Sequence, residues 1–162
     1  MILSLDISTT ITGVSFFKDE KLTDYFAIRL SKIKHENKFE ELILKANEVI
    51  NQIKKNINLN KVNLIVIEEP IMNSMNRNTV NTLLKFNTMI STMLRIDNKE
   101  IIFQNVNHVR SWLFKNNESN AESDKKQRTI EIVNKLYKLD LIKSQNDIAD
   151  AIMHAHYYLK NN

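Results

Sequence analysis

The chain has no cysteine, a single glycine at Gly13 and a single proline at Pro70. Without cysteine there is neither a disulfide framework nor a thiolate metal site, which suits a reducing compartment. The expectation is the cytoplasm of a prokaryotic or phage-infected cell. No apolar run approaches the ~20 residues that span a bilayer, so no membrane association is expected. The opening Met-Ile-Leu-Ser-Leu-Asp lacks a basic leader and carries an acid at position 6, unlike a signal peptide. Excess charge is also small: 23 Lys and Arg stand against 19 Asp and Glu, a formal +4. That permits an anionic partner such as DNA without requiring one. Abundant Asn, Lys and Ile beside scarce Gly and Pro read as the imprint of an AT-rich genome. Any one Lys or Asn therefore carries little weight.

What is present suffices for one compact domain over residues 1–162, with 43% hydrophobic and 26% charged residues. Strand character marks Ile2 to Ile7, Gly13 to Phe17 and Leu22 to Leu30, joined by turns short enough for an antiparallel meander. From Phe39 the apolar period changes to 3.6. Phe39, Leu42, Ile43, Ala46, Val49, Ile50, Ile53 and Ile57 fall on one helical stripe. Val62 to Ile67 is a near-continuous apolar run, fit for a strand buried on both faces, and Pro70 should stop it at the acids. A helix is predicted from about Asn78 to Ile96 with Val80, Leu83, Leu84, Met89, Ile90 and Met93 inward. A fifth strand at 101–103 follows, then helices over 106–114, 125–138 and 146–160. The order βββ-α-β-α-β-α-α-α predicts a mixed sheet flanked by helices, the order of the ribonuclease H-like fold.

Two acids stand where folding alone would not put them. Asp6 interrupts an apolar strand and Glu68 ends the most hydrophobic one, and a charge there costs several kcal/mol unless paired or coordinated. A bland reading, an acid pairing with Lys or capping a helix, is at least as good for either one alone. Asp147 and Asp150, three apart, share a helix face and repel unless a cation is near. Their place in a first turn softens that cost. If the first and fourth strands are neighbours beneath the last helix, all four acids meet. Oxygen-only ligands suit Mg²⁺, with Mn²⁺ as a substitute. Such ions activate water and stabilise a leaving oxygen in phosphodiester hydrolysis. Glu69 is set aside, because strand alternation turns it to the other face.

These residues resemble a known family. Ile2-Leu3-Ser4-Leu5-Asp6-Ile7-Ser8-Thr9-Thr10 with Gly13 looks like the opening motif of RuvC-type Holliday junction resolvases. Val66-Ile67-Glu68-Glu69-Pro70 is similar to their second motif, and Asp147-Ile148-Ala149-Asp150-Ala151 with His154 to their C-terminal segment. The resemblance implies a compact, phage-like homodimer that nicks a four-way junction symmetrically, and possesses Asp6, Glu68, Asp147 and Asp150 as metal ligands. It further implies basic residues near the scissile phosphate at Arg110 and at Lys125, with Lys126 or Arg128 as alternatives. For those three the competing reading is a solvated helix start. Two departures stand out: Ser8 replaces the usual glycine, and Ile71 replaces an aromatic wedge. Apolar wedges can be aliphatic, and residues 72–77, including Arg77, form the expected DNA-contact loop.

His154, one turn after Asp150, faces the same way, although a helix-borne histidine is more often structural. His35 and His108 have no motif support, and His156 points elsewhere. Trp112 beside Phe114 reads as a core anchor before a base-stacking group, and Tyr157-Tyr158 as packing of the last helix. Competing functions are a sugar kinase or actin-like ATPase, a silent nucleic-acid-binding module, and a ribonuclease H acting on RNA–DNA hybrids. The lone glycine and the short chain argue against the first, and the full set of acids against the second.

Overall fold

The computed structural model describes residues 1–70, 76–95, 99–117 and 124–162. Strands β1 (Ile2–Ile7), β2 (Ile11–Lys18) and β3 (Lys21–Arg29) form the expected antiparallel meander. The β2–β3 turn carries Asp19 and Glu20 at positive φ, 49° and 62°. That is the twist a two-residue hairpin requires, here without glycine. Helix α1 (Lys38–Asn56) leads to β4 (Leu64–Glu68), α2 (Arg77–Leu94) and β5 (Glu100–Gln104). Helices α3 (Val106–Asn116), α4 (Lys125–Tyr137) and α5 (Asn146–Asn161) follow. The sheet order is β3-β2-β1-β4-β5, with β1, β4 and β5 parallel. This is the ribonuclease H-like α/β fold. Among the described residues no helix is long and apolar enough to cross a membrane.

Strand alternation divides the core between two faces. Leu3, Leu5 and Ile7 of β1 and Ile65 and Ile67 of β4 pack with Leu42, Ala46, Ile53, Phe86 and Ile90 of α1 and α2. Each buried aliphatic side chain contributes about 1.5–3 kcal/mol. The opposite face carries Phe17, which packs with Val109, Ile130, Ile148 and Ile152 of α3, α4 and α5. By the same alternation Ser4, Asp6, Val66 and Glu68 face α5.

Small residues let α5 come close to that face. Gly13 and Ser15 stand opposite Asp6 and Ser4 in the β1–β2 ladder, and Ser15 Oγ donates to the Ala151 carbonyl at 3.0 Å. A Cβ at position 13 would lie 1.9 Å from the Asp147 carbonyl oxygen. Only glycine fits there. The close approach presses the first turn of α5 onto β1 and β2, beside Asp6.

Several boundaries and faces differ from expectation. Phe39 is 52% exposed rather than inward. It sits in the first turn of α1 and lines a hollow with Thr9. On α2, Val80 and Ile90 are buried as expected, whereas Leu83, Leu84, Met89 and Met93 are half-buried. Phe86 and Leu94 take the deepest places instead, so the helix is rotated toward its largest ring. Its predicted end, Ile96, lies outside the described residues. Many Asn residues prove to be caps: Asn37, Asn76 and Asn105 accept from first-turn amides of α1, α2 and α3.

Candidate metal centre

Asp6 and Glu68 close neighbouring parallel strands. The last registered pair between β1 and β4 is Leu5 with Ile67, so the next residue of each strand presents its carboxylate at the same edge and on the same face. Helix α5 lays Asp150 over them. Ligand oxygens of Asp6, Glu68 and Asp150 lie within 4.8 Å of one another. Asp147 lines the same cleft, of about 250 Å³, but it is not in that closest group. Glu69 also reaches the cleft wall.

The cluster is short of positive charge. Arg110 Nη2 donates to Asp150 Oδ2 at 2.7 Å, and it is the arginine on the cleft wall. Burial, and then the charges of Glu68, Asp150 and Asp147, push the Asp6 carboxyl well above the ordinary carboxylate range, against the pull of Arg110. Burial likewise raises Asp150, although Arg110 opposes it. Arg110 is drawn down by its own burial, yet Asp150, Glu68 and Asp6 hold its guanidinium above the ordinary value. Asp150 Oδ1 is buried and has no hydrogen-bond partner among the described residues. An orphaned carboxylate oxygen on a residue grouped with two further acids fits a hard divalent cation, and the all-oxygen donor set fits Mg²⁺ or Mn²⁺.

Behind these acids lies a chain of polar contacts. His154 is fully buried. Its Nε2 lies 3.2 Å from Glu68 Oε2 and its Nδ1 2.9 Å from Gln104 Oε1. Gln104 stands opposite Glu68 in the β4–β5 register, so His154 bridges two adjacent strand ends from above. This makes His154 a holder of Glu68. Gln104 escaped the sequence reading, because cross-strand register is invisible before the sheet is known.

Other expected site residues take different places. Arg110, expected to meet DNA, turns inward to Asp150 with a side chain only 14% exposed. Lys125 is exposed, and it is Lys126 that lines the cleft. Asp124 caps α4 through the amides of Lys126 and Gln127, and one residue along the helix turns the side chain by about 100°. Arg128 stacks on Phe114, 4.5 Å from the ring centroid, and donates to its carbonyl at 3.2 Å. Its guanidinium therefore joins α4 to α3. Arg77 is exposed at the start of α2. Ile71 and residues 72–75 of the expected contact loop lie outside the described residues.

The remaining rings form one cluster between α3, α4 and α5. Trp112 meets Tyr157 edge-on at 5.3 Å and His156 at 5.9 Å. Tyr137 Oη lies 2.6 Å from His156 Nδ1, and His108 Nε2 lies 2.9 Å from Tyr157 Oη. Burial pushes the Tyr137 hydroxyl up to about 12 and lowers His156. Trp112 is thus an anchor for α3.

No family model and no curated protein sequence matches the chain. Solved structures do. Thermus thermophilus RuvC in complex with a Holliday junction substrate aligns at TM-score 0.64 and 14% identity, over 99% of this chain and 95% of that one. The yeast mitochondrial Holliday junction resolvase Ydc2 aligns at TM-score 0.69 and 12% identity, over 98% and 77%. Fowlpox virus resolvase with Holliday junction DNA aligns at TM-score 0.58 and 14% identity, over 98% and 96%. At such identities the likeness establishes the fold.

Proposed function

We propose that this chain is a divalent-metal-dependent endonuclease that resolves four-way DNA junctions, acting as a homodimer. The observation that carries the reading is the convergence of Asp6, Glu68 and Asp150 within 4.8 Å, with too little positive charge to neutralise them. Acids so placed cost stability unless a cation serves them. Support for the substrate comes from the three aligned structures, two of them holding Holliday junctions. A two-fold dimer matches the two-fold symmetry of a four-way junction.

Asp6, Glu68 and Asp150 would hold the metal, with Asp147 at the cleft wall as a further carboxylate. When bound, one or two such ions supply Lewis-acid stabilisation and lower the pKa of a water that attacks phosphorus. The protein's own groups prepare that site. Arg110 fixes the rotamer of Asp150 through Oδ2 and leaves Oδ1 free for a metal. His154 and Gln104 hold the Glu68 carboxylate in place. Lys126, exposed on the cleft wall, offers an ammonium to the phosphodiester.

A nicking assay on a synthetic four-way junction tests this, with both strands of each symmetric pair labelled and Mg²⁺ or Mn²⁺ present. Paired symmetric nicks are expected. Binding without nicking across neutral to alkaline pH sinks the enzyme assignment, and cleavage confined to an RNA–DNA hybrid sinks the substrate.

A further inference from the structure

A second hollow opens at the edge of the sheet where the carboxylates lie. Strands β1 and β3 both run antiparallel to β2 and so end at the same edge, where Leu30 N donates to the Thr10 carbonyl at 2.8 Å. Helix α1 starts from there. Between its first turns and the flank of α2 is a hollow of about 370 Å³ whose walls include Thr9, Lys38, Phe39, Lys45, Thr82 and Lys85. The carboxylate cleft is walled in part by Ser8 and Leu83. The two spaces are thus one residue apart on each of two elements, a step of about 3.8 Å between Cα atoms.

The chemistry of this hollow is the reverse of the cleft's. Glu41 receives Lys45 Nζ at 2.7 Å, Lys38 Nζ at 3.2 Å and Lys34 Nζ at 3.9 Å, and Lys85 joins Lys38 and Lys45 as a third lysine of the wall. The Lys45 and Glu41 side chains are only 5% and 8% exposed. With one carboxylate against three lysines on its wall, the hollow keeps a surplus of positive charge. At the rim, Phe39 leaves half of its surface in water. A bare ring beside a surplus of ammonium groups is how single-stranded nucleic acid is held: phosphates on the cations and a base stacked on the ring.

We propose that this hollow takes an unpaired nucleotide at the branch point of the DNA, with its phosphate against Lys38 and Lys85 and its base on Phe39. The inference rests on the nuclease reading and adds to it a site that selects branched over linear DNA. Paired duplex offers phosphates to the lysines but no free base to the ring.

Binding of the full chain, with Ca²⁺ replacing Mg²⁺, is measured by fluorescence anisotropy on three labelled DNAs: a four-way junction with two unpaired nucleotides at its centre, a fully paired junction and a linear duplex. The wild type should prefer the first. Phe39→Ala should lose about tenfold on that DNA and little on the duplex, and Phe39→Trp should restore it. Lys38→Ala and Lys85→Ala should each lower the slope of log affinity against log salt by about one. All three side chains are exposed, and melting curves check that the variants fold. If Phe39→Ala leaves the preference unchanged, or weakens all three DNAs equally, the proposal is overturned. Nicking with Mg²⁺, run in parallel, separates the two readings. A wild type that nicks while Phe39 makes no difference loses the hollow and keeps the nuclease. A Phe39-dependent preference without nicking does the reverse, and a wild type that binds none of the DNAs loses both.

Discussion

In the cleft, one guanidinium, Arg110, serves three carboxylates; in the hollow, one carboxylate, Glu41, serves three ammoniums. The two clusters share an edge of the sheet and differ in the sign of what they lack. Burial and mutual repulsion raise Asp6 and Asp150, whereas hydrogen bonds from Lys45 and Lys38 lower Glu41 from 4.5 to about 2. Frustration in this molecule is local and signed. On the proposed reading, one cluster would be completed by a cation and the other by an anion, and a metal-bound phosphodiester backbone would supply both.

The largest effect should come from removing a charge on the acid side. Asp6→Asn or Glu68→Gln should reduce junction cleavage by at least ~10³-fold while binding survives, because the lost group acts on the developing charge and not on the DNA arms. Gel quantification of nicked product beside a binding titration checks it, and unchanged cleavage in both variants refutes the ligand assignment.

A smaller effect should follow from loosening a ligand. His154→Leu removes the bridge to Glu68 and Gln104 and should raise the Mg²⁺ concentration needed for half-maximal cleavage by roughly 10–100-fold. His154→Gln keeps a hydrogen-bonding group and should recover part of that loss. A variant with lower activity but the same metal requirement would show that His154 only packs.

The smallest effect sharpens the contrast through pH. Asp6 and Asp150, with raised folded pKa values, bind protons more tightly when folded. Without metal their contribution to stability therefore falls as pH rises through those values. Mg²⁺ should reverse this, raising the melting temperature more at pH 8 than at pH 5. Glu41 behaves oppositely: its contribution is present above 4.5 and lost as pH falls towards about 2. Melting curves of the wild type, Asp6→Asn and Glu41→Gln, with EDTA or Mg²⁺, resolve the two slopes. Parallel slopes in all three proteins would show that neither cluster controls them.

The sequence made the acid side legible and hid the basic side. Asp6 and Glu68 stand out because a charge at the end of an apolar strand is costly, and Asp147 and Asp150 because three-residue spacing on a helix is itself a geometry. Lys34, Lys38, Lys45 and Lys85 sit among many other lysines; Lys38 and Lys45 meet Glu41 at helical spacing, but only the packing of α1 beside α2 adds Lys85. Phe39 fits the helical stripe of α1 by period, but period says nothing about where the partner layer ends. Arg110 and Gln104 could not be placed for a related reason: their partners, Asp150 and His154, come from α5, the last element of the chain. Lys126 was separable from Lys125 only once the Asp124 cap had set the phase of α4.

Gly13 has a wider consequence. Its missing Cβ is what allows the Asp147 carbonyl within 1.9 Å of that point, when ordinary contact begins at 3.4 Å. Alanine there would lift the helix that carries Asp150 away from the strands that carry Asp6 and Glu68. The residue is therefore a spacer of zero thickness, and it sets the bore of the site. Mg²⁺ asks for oxygens at about 2.0–2.1 Å and Ca²⁺ for about 2.3–2.6 Å, a smaller difference than the retreat one methyl group would impose. With a metal in the cluster, the only glycine in the chain would thus work as a calliper for ionic radius.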